Sequence, residues 1–299
     1  MKKHIRLLVV TGLTICAALW AMPGTAHAQI FTINGGAIGE YNFDGTTVNA
    51  SLVSVPGIHD IAVFGGDIYS ANFTTPGTIG EYTTSGGTVS TSLVSGLNEP
   101  VGMAVSGGNL FVANEGSGII GEYTTNGVTV NASLVSGLLD PAGLVVSGGD
   151  LFVANANGGT IGEYTTNGVT VNASLVSGLS GPFGLVVSGG NLFVANAFSA
   201  TIGEYTTNGV TVNASLVSGL GEPVGIAVLG GDLFVSSIGG SPATVNTIGE
   251  YTTNGVAVNA SLVSGLHQPW GIAVIPEPTT LALAGFSGLS LLLFLRRRK

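Results

Sequence analysis

Between Gln29 and Leu295 the chain has no lysine and no arginine. Its seven basic residues are Lys2, Lys3 and Arg6 at one end and Arg296, Arg297, Arg298 and Lys299 at the other, while all 16 acidic residues, Glu40 to Glu277, lie between them. A nucleic-acid partner is excluded, because nothing in the body can neutralise phosphates. Substrates gripped by an arginine or lysine clamp are excluded for the same reason. The charge balance favours only a divalent cation, calcium or magnesium, and beyond that no cofactor is expected.

Cysteine is almost as scarce: Cys16 is the only one, and it lies in the N-terminal segment. The body therefore has no disulfide and must be held by a packed core, for which about 250 residues suffice. Histidine occurs only twice beyond residue 28, at His59 and His267. Charged residues make up 8% of the chain, and its 49 glycines are not matched by any helical periodicity. The abundance of glycine in a β-patterned chain points to turns.

The ends carry signals of their own. Lys2, Lys3 and Arg6 precede an apolar run from Leu7 to Trp20 and the small-residue site Ala26-His27-Ala28. This is the pattern of a secretory signal peptide, residues 1–28, cut after Ala28. At the other end Pro276-Glu277-Pro278 is followed by 17 uncharged residues, Thr279 to Leu295, and then by four cations. As a helix, 17 residues span about 25 Å, enough for a thin hydrocarbon core. The basic tail 296–299 is then held cytoplasmic and the body outside.

What fills the middle is one unit repeated. IGEY or a near variant begins at Ile38, Ile79, Ile120, Ile161, Ile202 and Ile248, at spacings of 41, 41, 41, 41 and 46. Within each unit four short β-type runs are separated by Gly-Gly or Asn-Gly pairs, as in PAGLVVSGGDLFVANANGGTIGEYTTNGVTVNASLVSGL from Pro141 to Leu179. The pattern is that of a four-stranded meander with type I′ turns at Asn-Gly. The first unit starts at its second strand, QIFTI, and the last, PWGIAVI, supplies only a first strand. The expected fold is thus all-β: a six-bladed β-propeller over residues 29–275, closed by pairing the N- and C-terminal strands, with a C-terminal transmembrane helix at 279–295.

Two resemblances follow from these residues. The blade pattern P-x-G-[IL]-x-V-x-G-G-[DN]-L-[FY]-V-A-N resembles NHL-repeat propellers, a superfamily that includes streptogramin-lyase and gluconolactonase-like enzymes. Signal peptide, Pro276-Glu277-Pro278, short helix and Arg296, Arg297, Arg298 together resemble the PEP-CTERM sorting signal. That likeness implies an exosortase-type processing protease as partner, an inner-membrane precursor, and delivery to the surface or exopolysaccharide matrix of a Gram-negative bacterium. The two likenesses imply an exported, non-enzymatic binding module meeting exopolysaccharide or a surface protein. The alternative is a secreted metal-dependent lyase or lactonase.

Residues that repeat in every blade serve the repeated geometry, so a site is sought where the repeat breaks. Glu40, Glu81, Glu122, Glu163, Glu204 and Glu250 recur and are read as solvated charges on an outer strand, with calcium coordination the lesser alternative. The Asn-Ala-Ser triplets beginning at Asn49, Asn131, Asn172, Asn213 and Asn259 recur and are read as strand residues, not glycan acceptors. The residue before the first-strand glycine varies: His59, Val101, Ala142, Phe183, Val224, Trp270. The glycine itself is replaced once, by Asp60. His59, Asp60, Phe183, His267 and Trp270 are accordingly the candidate ligand-binding residues at one mouth of the channel, with no catalytic or metal-binding residue assigned.

Overall fold

The structure, a computed structural model, describes residues 28–239 and 246–276. The expected signal peptide before Ala28 and the expected helix over 279–295 lie outside the described residues. Six four-stranded antiparallel sheets form the ring, with inner-to-outer order following the chain in five of them. Blade four shows the unit: β12 (Pro141–Ser147) innermost, then β13 (Asp150–Asn155), β14 (Thr160–Thr165) and β15 (Thr170–Ser177).

The turn chemistry differs from expectation in its placement. Gly148 and Gly149 both have positive φ, 65° and 98°, so the two-residue primed turn falls on the Gly-Gly pair joining β12 to β13. At Asn167-Gly168 only the glycine is left-handed, φ 82°, and its N–H closes a turn onto the Thr165 carbonyl at 2.8 Å. This is a three-residue loop with a glycine bulge, not type I′, because the Thr165 N–H also reaches over the loop to the Val169 carbonyl.

The second strand of each blade is buried on both faces, which is why it reads as a continuous apolar run. Leu151 and Val153 pack toward blade three with Phe111 and Ile120; Phe152 and Ala154 pack toward blade five with Leu185 and Leu192. The core is therefore six seams between blades, not one centre. Each buried Leu, Val or Phe contributes about 1.5–3 kcal/mol only when the next blade is present. The repeated IGEY serves the same seams: a Cβ at Gly162 would fall 2.7 Å from the Tyr164 ring, so the glycine is the bed on which the buried tyrosine lies.

The outer strands are exposed and uncharged, yet they are not free edges. In β15 the pairing skips from Glu163↔Asn172 to Ile161↔Val176, a bulge that bends the edge strand. The Asn172 Oδ1 accepts the Ser174 N–H at 3.1 Å, and Asn49, Asn131, Asn213 and Asn259 do the same in their own blades. The Asn-Ala-Ser triplets thus satisfy an edge donor locally, a means of blunting an edge without charge.

Closure follows the expected route. The inner strand of blade one is β24 (Ile272–Ile275), which pairs with β1 (Gln29–Ile33) through Gln29↔Ile275, Ile30↔Val274, Phe31↔Ala273 and Thr32↔Ile272. Around it the Thr32 Oγ1 donates to the Gly271 carbonyl at 2.9 Å, the Gly35 N–H to the His267 carbonyl at 2.6 Å, and the His267 N–H to Asn34 Oδ1 at 2.8 Å. Deleting residues 29–34 removes β1, which leaves β24 unpaired and bares one edge of the following strand, Ala37–Asn42. The deletion variant is expected to aggregate and to lose its single cooperative melting transition; a monomeric variant melting near the parent temperature would mean that the ring is held elsewhere.

Candidate functional site

The inner strands converge on a channel cavity of about 340 Å³, lined mostly by valine, leucine, isoleucine and glycine. At the variable position of the inner strands His59, Val101, Phe183, Val224 and Trp270 line the cavity, while Ala142 is buried outside its lining. One layer deeper the strands approach so closely that side chains are excluded. A Cβ at Gly102 would land on the Ala142 carbonyl, one at Gly143 on the Phe183 carbonyl, and one at Gly225 on the Trp270 carbonyl.

Asp60 occupies the sixth place in that glycine neck. Its Oδ2 accepts the Met103 N–H of blade three at 2.8 Å, and a side chain at Gly271 of blade one would meet its Oδ1 at 2.6 Å. The carboxyl is thus wedged between the inner strands of both neighbouring blades, with its remaining surface toward the cavity. Loss of solvent pushes its pKa up to about 7, against the N–H groups of Met103 and Ile61, which pull it down.

The mouth is aromatic on one side. His59 is sandwiched between Phe73, with ring centroids 4.3 Å apart, and Trp270, 4.9 Å apart, both nearly parallel to it. Trp270 in turn meets Phe183 at 6.1 Å and 56°, and Phe183 meets Phe198 edge-on. Burial holds the His59 pKa below its ordinary value, so the imidazole in this stack is neutral at pH 7. Trp270 is fixed from behind by the Ser236 hydroxyl, which donates to its carbonyl at 2.7 Å.

Four of the five candidate residues, His59, Asp60, Phe183 and Trp270, therefore line one cavity. His267 does not: it lies exposed on the connection into β24 and is spent on closure through its backbone. Phe73, Phe198, Thr32 and Ser236 escaped the sequence reading. Thr32 and Ser236 had a signal, since they stand where most blades carry valine and alanine.

The recurrent glutamates are not solvated charges on outer strands. They lie on the third strand, between the second and the outer strand, with Glu40 and Glu122 buried and Glu81, Glu163, Glu204 and Glu250 half-buried. Their partners alternate around the ring. Gln29, Asn109 and Asn191 donate to Glu40, Glu122 and Glu204, the latter two at 2.7 Å. In the other three blades the neighbour is Asp67, Asp150 or Asp232. There burial first, and the second carboxylate next, hold Glu81, Glu163 and Glu250 above the ordinary carboxylate range. No group of three or more His, Cys, Asp or Glu among the described residues is placed to hold a metal ion. Asn114, Asn155 and Asn196 close the second strands of blades three to five with buried Oδ1 atoms that no protein donor reaches, positions suited to single enclosed waters.

Residues 274–299 match the PEP-CTERM protein-sorting motif. No curated protein matches the chain. Among solved structures the fold is similar to a chain of the nidogen/laminin complex (TM-score 0.68, 17% identity, covering 83% of this chain and 98% of that one). It is similar also to a streptogramin B lyase (0.55, 19%, 84% and 74%). A gluconolactonase from Xanthomonas campestris is a third such structure (0.58, 15%, 69% and 76%). At these identities the likeness is one of fold alone, a propeller that proteins of different function share. The sorting motif implies export of the body and exosortase processing of a membrane-anchored precursor.

Asp60 makes stability depend on pH. Its folded pKa is raised, so the stabilisation from its protonated form is complete below about pH 4 and is lost as pH rises through about 7. His59, with a depressed pKa, acts in the opposite sense below about pH 6.5. From Asp60, native stability is expected to fall by on the order of 2–3 kcal/mol between pH 5 and 8, less what His59 offsets at the acid end, and Asp60→Asn to remove that fall. Parallel urea titrations across this range check it; an unchanged slope in Asp60→Asn would place the titrating group elsewhere.

Proposed function

We propose that this protein is an exported, non-enzymatic binding module, sorted by its C-terminal signal to the cell surface or exopolysaccharide matrix, where the channel mouth or blade rim meets polysaccharide or another surface protein. The observation that carries this reading is the sorting motif at 274–299 attached directly to the last strand of a closed propeller. A body that ends in such a signal is a cargo for the outside of the cell.

In this reading residues 1–28 direct export and are removed. Residues 279–295 then halt in the inner membrane with the basic tail 296–299 inside. Pro276 and Pro278 keep the segment between strand and helix extended, and an extended segment is what a protease cleft accepts. An exosortase-type protease cuts there and the body is released. The short helix makes the uncut form a transient membrane species.

The fold also hosts lyases and lactonases, and a metal-dependent reaction at the mouth is the competing reading. Such chemistry asks for several carboxylate, histidine or amide ligands converging at the channel. Among the described residues the ionisable groups lining the cavity are His59 and Asp60, with His59 held flat between two rings. That arrangement supports recognition over catalysis.

Replacing Pro276, Glu277 and Pro278 with alanine is expected to leave export intact and to trap the uncut chain in the membrane fraction, whereas the parent accumulates outside without its arginine cluster. Mass spectrometry of the C-terminus of extracellular protein decides the matter. Extracellular protein still ending in Lys299, or cleavage indifferent to the triplet, would reduce the tail to an ordinary anchor.

A further inference from the structure

The mouth ring is chemically lopsided. His59, Trp270 and Phe183 from blades two, one and five supply its aromatic groups, while Val101 of blade three and Val224 of blade six are its aliphatic members lining the cavity. Below this ring lies a neck whose one charged group is Asp60, standing where the other five blades have glycine. Both departures from the repeat meet at the same blade junction.

We propose that the cavity binds a small organic ammonium ion, its apolar part against the Trp270 and Phe183 rings and the edge of His59, and its N–H groups directed to the Asp60 carboxyl. This rests on the reading of the body as a binding module and names the ligand class for it. Aromatic faces attract ammonium groups through the ring quadrupole, tryptophan most strongly. A carboxylate that meets only the Met103 and Ile61 N–H groups has lone pairs left for a charged donor.

Three further features select a cation over other ligands. From Gln29 to Leu295 there is no lysine or arginine, so an incoming cation displaces no internal partner and enters a field of negative sign. An anion would find no counter-charge. A neutral polyol needs several donors as well as acceptors, and the side-chain donors lining the cavity are the Trp270 indole and the His59 imidazole. The volume, about 340 Å³, stands at the lower end of the small-ligand range and admits one sugar-sized or short alkyl unit. Protonation of Asp60, whose pKa lies near 7, would switch the site off as pH falls.

The test uses residues 29–275, which contain all six blades and the β24–β1 closure. Trp270 is the only tryptophan in that stretch, so its fluorescence reports the mouth directly. Titrations with butylammonium and glucosamine are compared with n-butanol and glucose. At pH 8 at least one amine is expected to bind at least 10-fold more tightly than its neutral counterpart, and that binding to weaken at least 10-fold by pH 5.5. Tighter binding of glucosamine would identify the amine as one carried on an amino sugar, and tighter binding of butylammonium a free alkyl amine; either supports the proposal.

Asp60→Asn is expected to abolish the preference for the amine. Phe183→Ala, at the rim and clear of the neck, is expected to weaken binding several-fold while the pH profile persists. If Asp60→Asn does not fold, Phe183→Ala and the parent's pH profile still decide. No saturable response to either amine, binding of both amines no tighter than that of their neutral counterparts, or undiminished discrimination in Asp60→Asn would each overturn the inference. The sorting reading stands or falls separately, on the C-terminus of the exported chain.

Discussion

Everything in this molecule depends on a ring that has to close. A blade of this propeller has no core of its own: Leu151 and Val153 are covered by blade three, Phe152 and Ala154 by blade five. An open array would leave one apolar face bare at each end. The short ladder of β24 on β1 therefore stabilises far more than its own hydrogen bonds, because it completes the two seams flanking blade one. The chain invests there beyond the repeat, with Thr32, Asn34 and the backbone of His267 all bonded across the junction.

Closure also explains where the molecule becomes specific. A perfect sixfold repeat would present a symmetric mouth with no basis for recognising an asymmetric ligand. The seam is where the copies cease to be copies. Trp270 comes from the orphan strand, His59 and Asp60 from the blade beside it, and Ser236, holding the Trp270 carbonyl, from the blade on the other side. Sequence departures accumulate where the repeat is interrupted, and the channel gathers them into one wall and one neck. Because the glycine neck excludes side chains elsewhere, Asp60 is conspicuous in a way that an aspartate on the rim would not be.

Much of this was legible in the sequence because a repeat supplies its own alignment. The period of 41, the half units at each end and the break at Asp60 all come from comparing the chain with itself, and they yield blade count, closure and four of the five mouth residues. What stayed hidden depends on distances that no period records. The turn type at Asn-Gly is decided by whether asparagine or only glycine takes positive φ. The glutamates read as surface charges because nothing in IGEY reveals that their strand lies between two others, which leaves them buried or half-buried. His267 read as a mouth residue because position in the unit does not say whether a side chain turns inward. Phe73 and Phe198 lie in connections of irregular sequence, where alignment between blades fails.

The central claim is that β24 and β1 close the ring as one cooperative blade, which amide hydrogen exchange tests most directly. If they do, the amides of Ile30 to Thr32 and Ile272 to Val274 exchange only through global unfolding, at rates matching those of the corresponding strands in blade four. Exchange at these amides that is orders of magnitude faster than in blade four, under conditions where the remainder stays folded, would contradict the account.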